Sequence, residues 1–198
     1  MKKKYVITIA RQFGSLGRTI GKKVAENLGI AYYDRELLED AVEILGKDMN
    51  NLDQYDEKLS NPFFKALYPM GLKESITQTK LFELQKAKIL EISEKESCVI
   101  VGRCADYILK NHKNVLKLFI YAPYKDRIYN CTHDLNLYIE DAKKMITSVD
   151  KARQNYHEFY TGESYDSIGT HDLMINSSLL GVEKTAELIE AVVKSKFC

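Results

Sequence analysis

The sequence predicts an α/β protein: a parallel sheet with helices on both faces. Two observations carry this. Five short apolar segments recur along the chain, and the longer stretches between them carry helical periodicity. The segments run apolar with few interruptions, as strands covered on both sides do. In such sheets ligands sit beyond the carboxyl ends of the strands, so the residues following each strand are the ones to inspect for chemistry.

The predicted strands are Tyr5–Ala10, Ile30–Tyr33, Cys98–Gly102, Leu116–Tyr121 and Asp172–Asn176. After the first, Ile20, Val24 and Leu28 share one helical face, and Gly29 follows as a stop. Leu37, Leu38, Ala41, Val42 and Leu45 form a second stripe, closed by Gly46. From about Lys73 to Glu96, Ile76, Leu81, Leu84, Ala87, Ile89 and Ile92 predict a long buried helix. A late helix carries Ala142, Met145, Ile146, Val149, Tyr156 and Tyr160 on one stripe, and a final helix after Ser177-Ser178 turns Ala186, Ile189, Ala191 and Val193 inward. Two segments fit this core poorly: 47–72, polar and bearing Pro62 and Pro69, and 137–170, a charged helix and a Tyr/Gly/Asp-rich loop. With no repeat or linker to separate them, both read as insertions over the ligand edge of a single domain spanning 1–198, the first for substrate and the second a lid.

Composition narrows the function. At 198 residues the chain is long enough for a sizeable core, and 29 basic against 28 acidic residues give a net charge of +1. No global field draws in nucleic acid or an anionic membrane, and no apolar run approaches the ~18 residues of a membrane span. The four cysteines have neither paired C-x-x-C spacing nor disulfide density, which predicts reduced thiols and a cytoplasmic protein. The spacing Cys131-x-His133 lacks a second pair and reads as structural. No G-x-S-x-G or H-E-x-x-H pattern is present, and the histidines are scattered.

The most informative stretch is Arg11-Gln12-Phe13-Gly14-Ser15-Leu16-Gly17-Arg18-Thr19, a glycine-bearing loop between strand and helix. Backbone N–H groups at such a bend can point at an anion. Against G-x-x-x-x-G-K-[ST], Gly17 and Thr19 agree, Gln12 replaces the first glycine and Arg18 the lysine. Gly14, Ser15, Leu16, Gly17, Arg18 and Thr19 are the candidate cradle, and the Thr19 hydroxyl is the candidate magnesium ligand. The competing reading is a tight turn with Arg18 in water. A dinucleotide fingerprint fails, because Leu16 stands where its second glycine belongs.

Further candidates follow other strands. Arg103, in Val101-Gly102-Arg103-Cys104-Ala105-Asp106, offers a planar fork for phosphate or a salt bridge to Asp106 that closes the turn. Asp34 could cap the next helix, face the substrate cleft, or both. Arg153 lies on the apolar stripe of the late helix and needs a partner or a cleft; Asp150 three residues back is one such partner. Lys151 and Arg153 could instead reach the transferring phosphates, with Arg127 assisting, or each could simply be solvated.

Taken together, Arg11–Arg18, Gly29–Leu37, Val101–Asp106, Phe119–Pro123, Val149–Tyr156, Tyr160–Gly162 and Asp172–Ser177 resemble the cytidylate kinase-like family, in order and over nearly the whole chain. The resemblance implies a three-layer P-loop kinase fold with a parallel five-stranded sheet and a helical lid. It implies transfer of the γ-phosphoryl group of ATP, with Mg²⁺, to CMP or dCMP. By position it gives Gly14–Thr19 the ATP phosphates and Arg103 the monophosphate; Arg153 and Lys151 come from the lid, and Asp34 and Asp172 lie near the acceptor nucleotide. The chain departs from the family's G-x-x-G-x-G-K loop in having Arg18 for lysine, and the two cations are not interchangeable at a tight phosphate site. Two other readings remain: a nucleotide- or anion-binding module without turnover, and a kinase of another small metabolite.

Overall fold

The computed structural model describes residues 4–34 and 76–197, with the side chains of 76–78 and 80 excepted. The predicted helix over 37–46 and the insertion over 47–72 lie outside the described residues. Among those described, five strands form one parallel sheet: β1 (Val6–Arg11), β2 (Ala31–Tyr33), β3 (Cys98–Val101), β4 (Val115–Tyr121) and β5 (Leu173–Asn176). The spatial order is β2-β3-β1-β4-β5. Six helices accompany it: α1 (Gly17–Leu28), α2 (Ile76–Lys95), α3 (Ala105–Ile108), α4 (Tyr124–Asp134), α5 (Ile139–Thr161) and α6 (Ser177–Phe197).

The side-chain period of two along β1 explains the three layers. Ile7 and Ile9 join Ile20 and Val24 of α1 and Ala186, Ile189 and Val193 of α6 on one face. Val6 joins Ile89 and Ile92 of α2 and Ala105 and Leu109 on the other. Fully burying each such aliphatic side chain stabilises the fold by about 1.5–3 kcal/mol. A third cluster, Phe13 with Cys131, Ala142, Met145, Ile146 and Val149, packs α4 and α5 beneath the loop that follows β1.

The strand ends agree with expectation to within one residue. Three local features do not. The final helix is interrupted at Gly181, whose backbone (φ 71, ψ −178) is non-helical. The short α3 appears where no helical period is legible. Just ahead of it Gly102, Arg103 and Cys104 all take left-handed backbone, with φ of 84, 59 and 55.

Candidate active site

The carboxyl ends of β1 and β3 lie side by side, with Val101 in register with Ile9. From β1 the chain turns through Gly14 and Leu16, both left-handed, into α1. Leu16 is the N-cap residue, and its conformation costs a non-glycine residue about 1–2 kcal/mol. The turn is held from inside. Ser15 is fully buried, and its hydroxyl lies 2.9 Å from the Gln12 carbonyl and 3.1 Å from that of Ile120. Asn130 Nδ2 donates to the Gly14 carbonyl at 2.8 Å. The first turn of α1 has no side-chain cap and no acidic residue. Ile20 N–H is the first amide returned to the helix, bonding Leu16 O at 2.9 Å. The N–H groups ahead of it are the donors an anion would find.

Helix α5 lies against this loop through one face. Asp150, Arg153 and His157 are three and four residues apart, hence on one side of the helix. Asp150 Oδ1 accepts from the Phe13 N–H at 2.7 Å, and its other oxygen pairs with Arg127, which also donates to the Phe13 carbonyl at 3.2 Å. Asp150 therefore serves Arg127 and the loop, where the sequence offered it to Arg153. Arg153 Nη1 instead donates to the Arg11 carbonyl at 2.9 Å. The Tyr165 hydroxyl meets the same residue, accepting from its N–H at 3.0 Å and lying 3.1 Å from its carbonyl. Burial, with the Arg11 charge beside it, pulls Arg153 down to about 10, still protonated at neutral pH.

The other predicted residues sort by position. Arg18 is exposed and its Nη2 pairs with the buried Asp34 carboxylate at 2.6 Å, joining the start of α1 to the end of β2. Thr19 is exposed on the first turn of α1. Arg103 follows β3 with its guanidinium 5.9 Å from the Tyr156 ring; burial raises the Tyr156 hydroxyl far above its ordinary value. Lys151 is exposed, two residues and about 200° around the helix from Arg153. It lines a cavity of about 570 Å³ between α4 and α5, together with Tyr124, Arg127, Asp150 and Gln154. Asp172 stands at the amino end of β5, level with Lys117: the two exchange 2.8 Å bonds, Asp172 N–H to the Lys117 carbonyl and Lys117 N–H to Asp172 Oδ2. The loop instead leaves β1 at the level of Ile120, three residues or roughly 10 Å further along. The structure thus brings Arg18, Asp34, Arg103 and Arg153 to the loop's edge of the sheet, whereas Lys151 turns to the other side of α5 from Arg153 and Asp172 stands at the amino end of β5.

Two groups escaped the sequence reading. One is Arg11 itself, at the end of β1. The other is a buried polar cluster in which Asp106 Oδ2 meets His157 Nε2 at 3.0 Å and His171 Nε2 at 3.9 Å. His157 Nδ1 faces the Glu163 carbonyl at 3.0 Å, so both its nitrogens look onto acceptors. Burial disfavours the imidazolium, yet the Asp106 hydrogen bond and charge leave its pKa raised. Burial likewise opposes the Asp106 carboxylate, and the His157 bond overrides it to a lowered pKa. Sequence separation hides this cluster: Asp106 and His157 are 51 positions apart.

Magnesium is the ion a phosphate loop implies. It takes oxygen ligands, several from phosphate and water, so a dedicated cage is not required. Among the described residues no group of three or more acidic, His or Cys side chains could hold a metal. The Thr19 hydroxyl at the start of α1 fits a cation carried by phosphates. Among the described residues no helix is long and apolar enough to cross a membrane.

A five-stranded parallel sheet with a strand–loop–helix turn at its carboxyl edge is the fold of the P-loop kinases. A gluconokinase from Sinorhizobium meliloti 1021 shares this fold, with a TM-score of 0.59 at 9% identity over 100% of this chain and 95% of that one. The cytidylate kinase-like family matches residues 6–179, and the chain belongs to it. It is 25% identical to a cytidylate kinase from Pyrococcus horikoshii over 97% of this chain and 90% of that protein. The crystal structure of an uncharacterized protein from Eubacterium ventriosum ATCC 27560 superposes with a TM-score of 0.76 at 26% identity, covering 97% of this chain and 99% of that one.

Proposed function

We propose that this protein transfers the γ-phosphoryl group of ATP to a nucleoside monophosphate, with CMP or dCMP as the acceptor. The observation that carries the reading is the meeting of an uncapped, acid-free start of α1 with Arg103 and Arg153 at one sheet edge. Its relative from P. horikoshii, described as a cytidylate kinase, supports the choice of acceptor. The amides of the loop and first turn hold the donor phosphates. Arg103, at the end of β3, holds the acceptor's phosphate. Arg153 neutralises charge that grows on the transferring group. An acceptor phosphate oxygen forms the new bond to γ-phosphorus, the bond from that phosphorus to the β–γ bridging oxygen breaks, and ADP departs with the electron pair. Such transfer is mostly positioning and charge neutralisation, and one well-aimed donor contributes on the order of 2.7–4 kcal/mol. Thr19 would help to hold a phosphate-bound Mg²⁺, which would supply charge neutralisation to the transferring group. The Arg18–Asp34 pair stands on the acceptor side, at the end of β2.

The test supplies purified protein with ATP, Mg²⁺ and each nucleoside monophosphate, with gluconate as an acceptor outside that class because the S. meliloti neighbour is a gluconokinase. ADP release with CMP or dCMP above all others is expected. Turnover of gluconate alone would reassign the acceptor. Nucleotide binding without ADP from any acceptor would leave a binding module and end the kinase reading.

A further inference from the structure

We propose that Arg11, and not Arg18, is the cation of the phosphate loop, binding donor phosphate oxygens from the end of β1. The inference deepens the proposed function and rests on it.

Three observations carry it. The first is the path of the side chain, which two glycines open. A Cβ on Gly17 would stand 2.7 Å from Arg11 Cβ and 3.1 Å from its Cγ, and a Cβ on Gly102 would collide with Nη1 of the guanidinium. Arg11 therefore crosses the first residue of α1 and carries its charge to the end of β3, between the loop and Arg103. The aliphatic stem packs where the side chain at position 17 would otherwise be, so the head occupies ground that a loop cation should hold.

The second is its lack of a counter-charge. Arg18 is paired with Asp34 and Arg127 with Asp150. Among the described residues no carboxylate pairs with Arg11, and none pairs with Arg153, whose guanidinium donates to the Arg11 carbonyl. Beyond burial, the Arg11 charge disfavours the charged form of Arg153, Tyr165 and Asp150 offset part of this, and an anion between the two guanidiniums would relieve the rest.

The third is rigidity. The Arg11 backbone is in the β1 ladder with β4, and its N–H and carbonyl both meet the Tyr165 hydroxyl. A fork set on a fixed backbone loses little freedom on binding, as a site for phosphate oxygens requires. Arg18 is more than half exposed and its charge is tied to Asp34.

The experiment measures the dissociation constant of inorganic tripolyphosphate with Mg²⁺ for the full chain and for Arg11→Met, which keeps the aliphatic stem over Gly17. Circular dichroism and thermal melting check the fold. Binding weakened at least fivefold by Arg11→Met, and less by Arg18→Met, is expected. Binding of Arg11→Met within fivefold of wild type, or an equal or larger loss in Arg18→Met, overturns the assignment while the nucleotide-kinase reading stands. If wild type binds no tripolyphosphate and releases no ADP, both fall. Where Arg11→Met does not fold, Arg11→Lys decides: a point charge replaces the fork, a loss of at least threefold is expected, and anything smaller overturns the assignment.

Discussion

Replacing Asp150 with Ala removes the one acid that serves both the loop and its buried arginine. Asp150 accepts from the Phe13 amide at 2.7 Å and pairs with Arg127, whose side chain is only 9% exposed. Truncation leaves the guanidinium facing an apolar cluster with the Phe13 carbonyl as its acceptor among the described residues, while Arg127 Nε already has no hydrogen-bond partner there. Breaking a fully buried pair from one side costs about 3–5 kcal/mol. Asp150 is 27% exposed, so water relieves part of this, and about 2–3 kcal/mol is the expected loss. For a chain of this size that lowers the melting temperature by about 5–10 °C. Differential scanning calorimetry reads it directly. The double variant Arg127→Met/Asp150→Leu, which removes both charges, should melt above Asp150→Ala, because no orphaned charge remains. A fall of less than about 2 °C for Asp150→Ala, or a double variant no better than the single, would refute the claim that this pair anchors the loop.

Two further expectations concern parts of the site without a direct role in the chemistry. The raised pKa of His157 means that its stabilisation is full below the ordinary histidine value and fades as pH climbs through the folded one; the lowered pKa of Asp106 adds stability above the ordinary carboxylate value that fades as pH falls through the folded one. The melting-temperature difference between wild type and Asp106→Asn should therefore be largest in mildly acid solution and shrink towards high pH, and a difference constant from pH 5 to 9 would contradict the ion pair. Ser15→Ala should cost about 1–2 kcal/mol in urea unfolding, since the Gln12 and Ile120 carbonyls lose a buried donor. An unchanged midpoint would show that the hydroxyl does not hold the loop.

The layered fold was legible because its causes are local. Strands buried on both faces read as nearly continuous apolar runs, and Val6–Arg11, Cys98–Val101 and Val115–Tyr121 do so in the sequence alone, with Thr8, Arg11 and Lys117 as the exceptions. Gly29 ends α1 in a left-handed cap, as a glycine after a helical stripe should. The site was legible by address but not by aim. Strand ends located Arg103 and Asp34, yet spacing alone did not say which arginine takes an acid. Asp150 sits three residues from Arg153 and seemed its natural partner; the approach of α4 gave it to Arg127, 23 residues away. Arg11 was hidden for a related reason. Its path depends on two missing side chains, at Gly17 and at Gly102, and the second follows another strand.

The same tertiary contacts set the energetic scale of any lid movement by α5. Along one face its polar contacts include Asp150 to the Phe13 amide and to Arg127, Arg153 to the Arg11 carbonyl and His157 to Asp106. A rigid departure of the helix would leave Arg127 and Asp106 buried without their partners, at several kcal/mol for each charge. A population of about one per cent corresponds to roughly 2.7 kcal/mol, so a helix that swung freely would have to keep those partners elsewhere. Donor phosphates cannot draw such a movement by contact with Arg153 alone, because that side chain already points at the loop. An anion at the loop would instead act on the repulsion between Arg11 and Arg153, which adds to burial in lowering the Arg153 pKa.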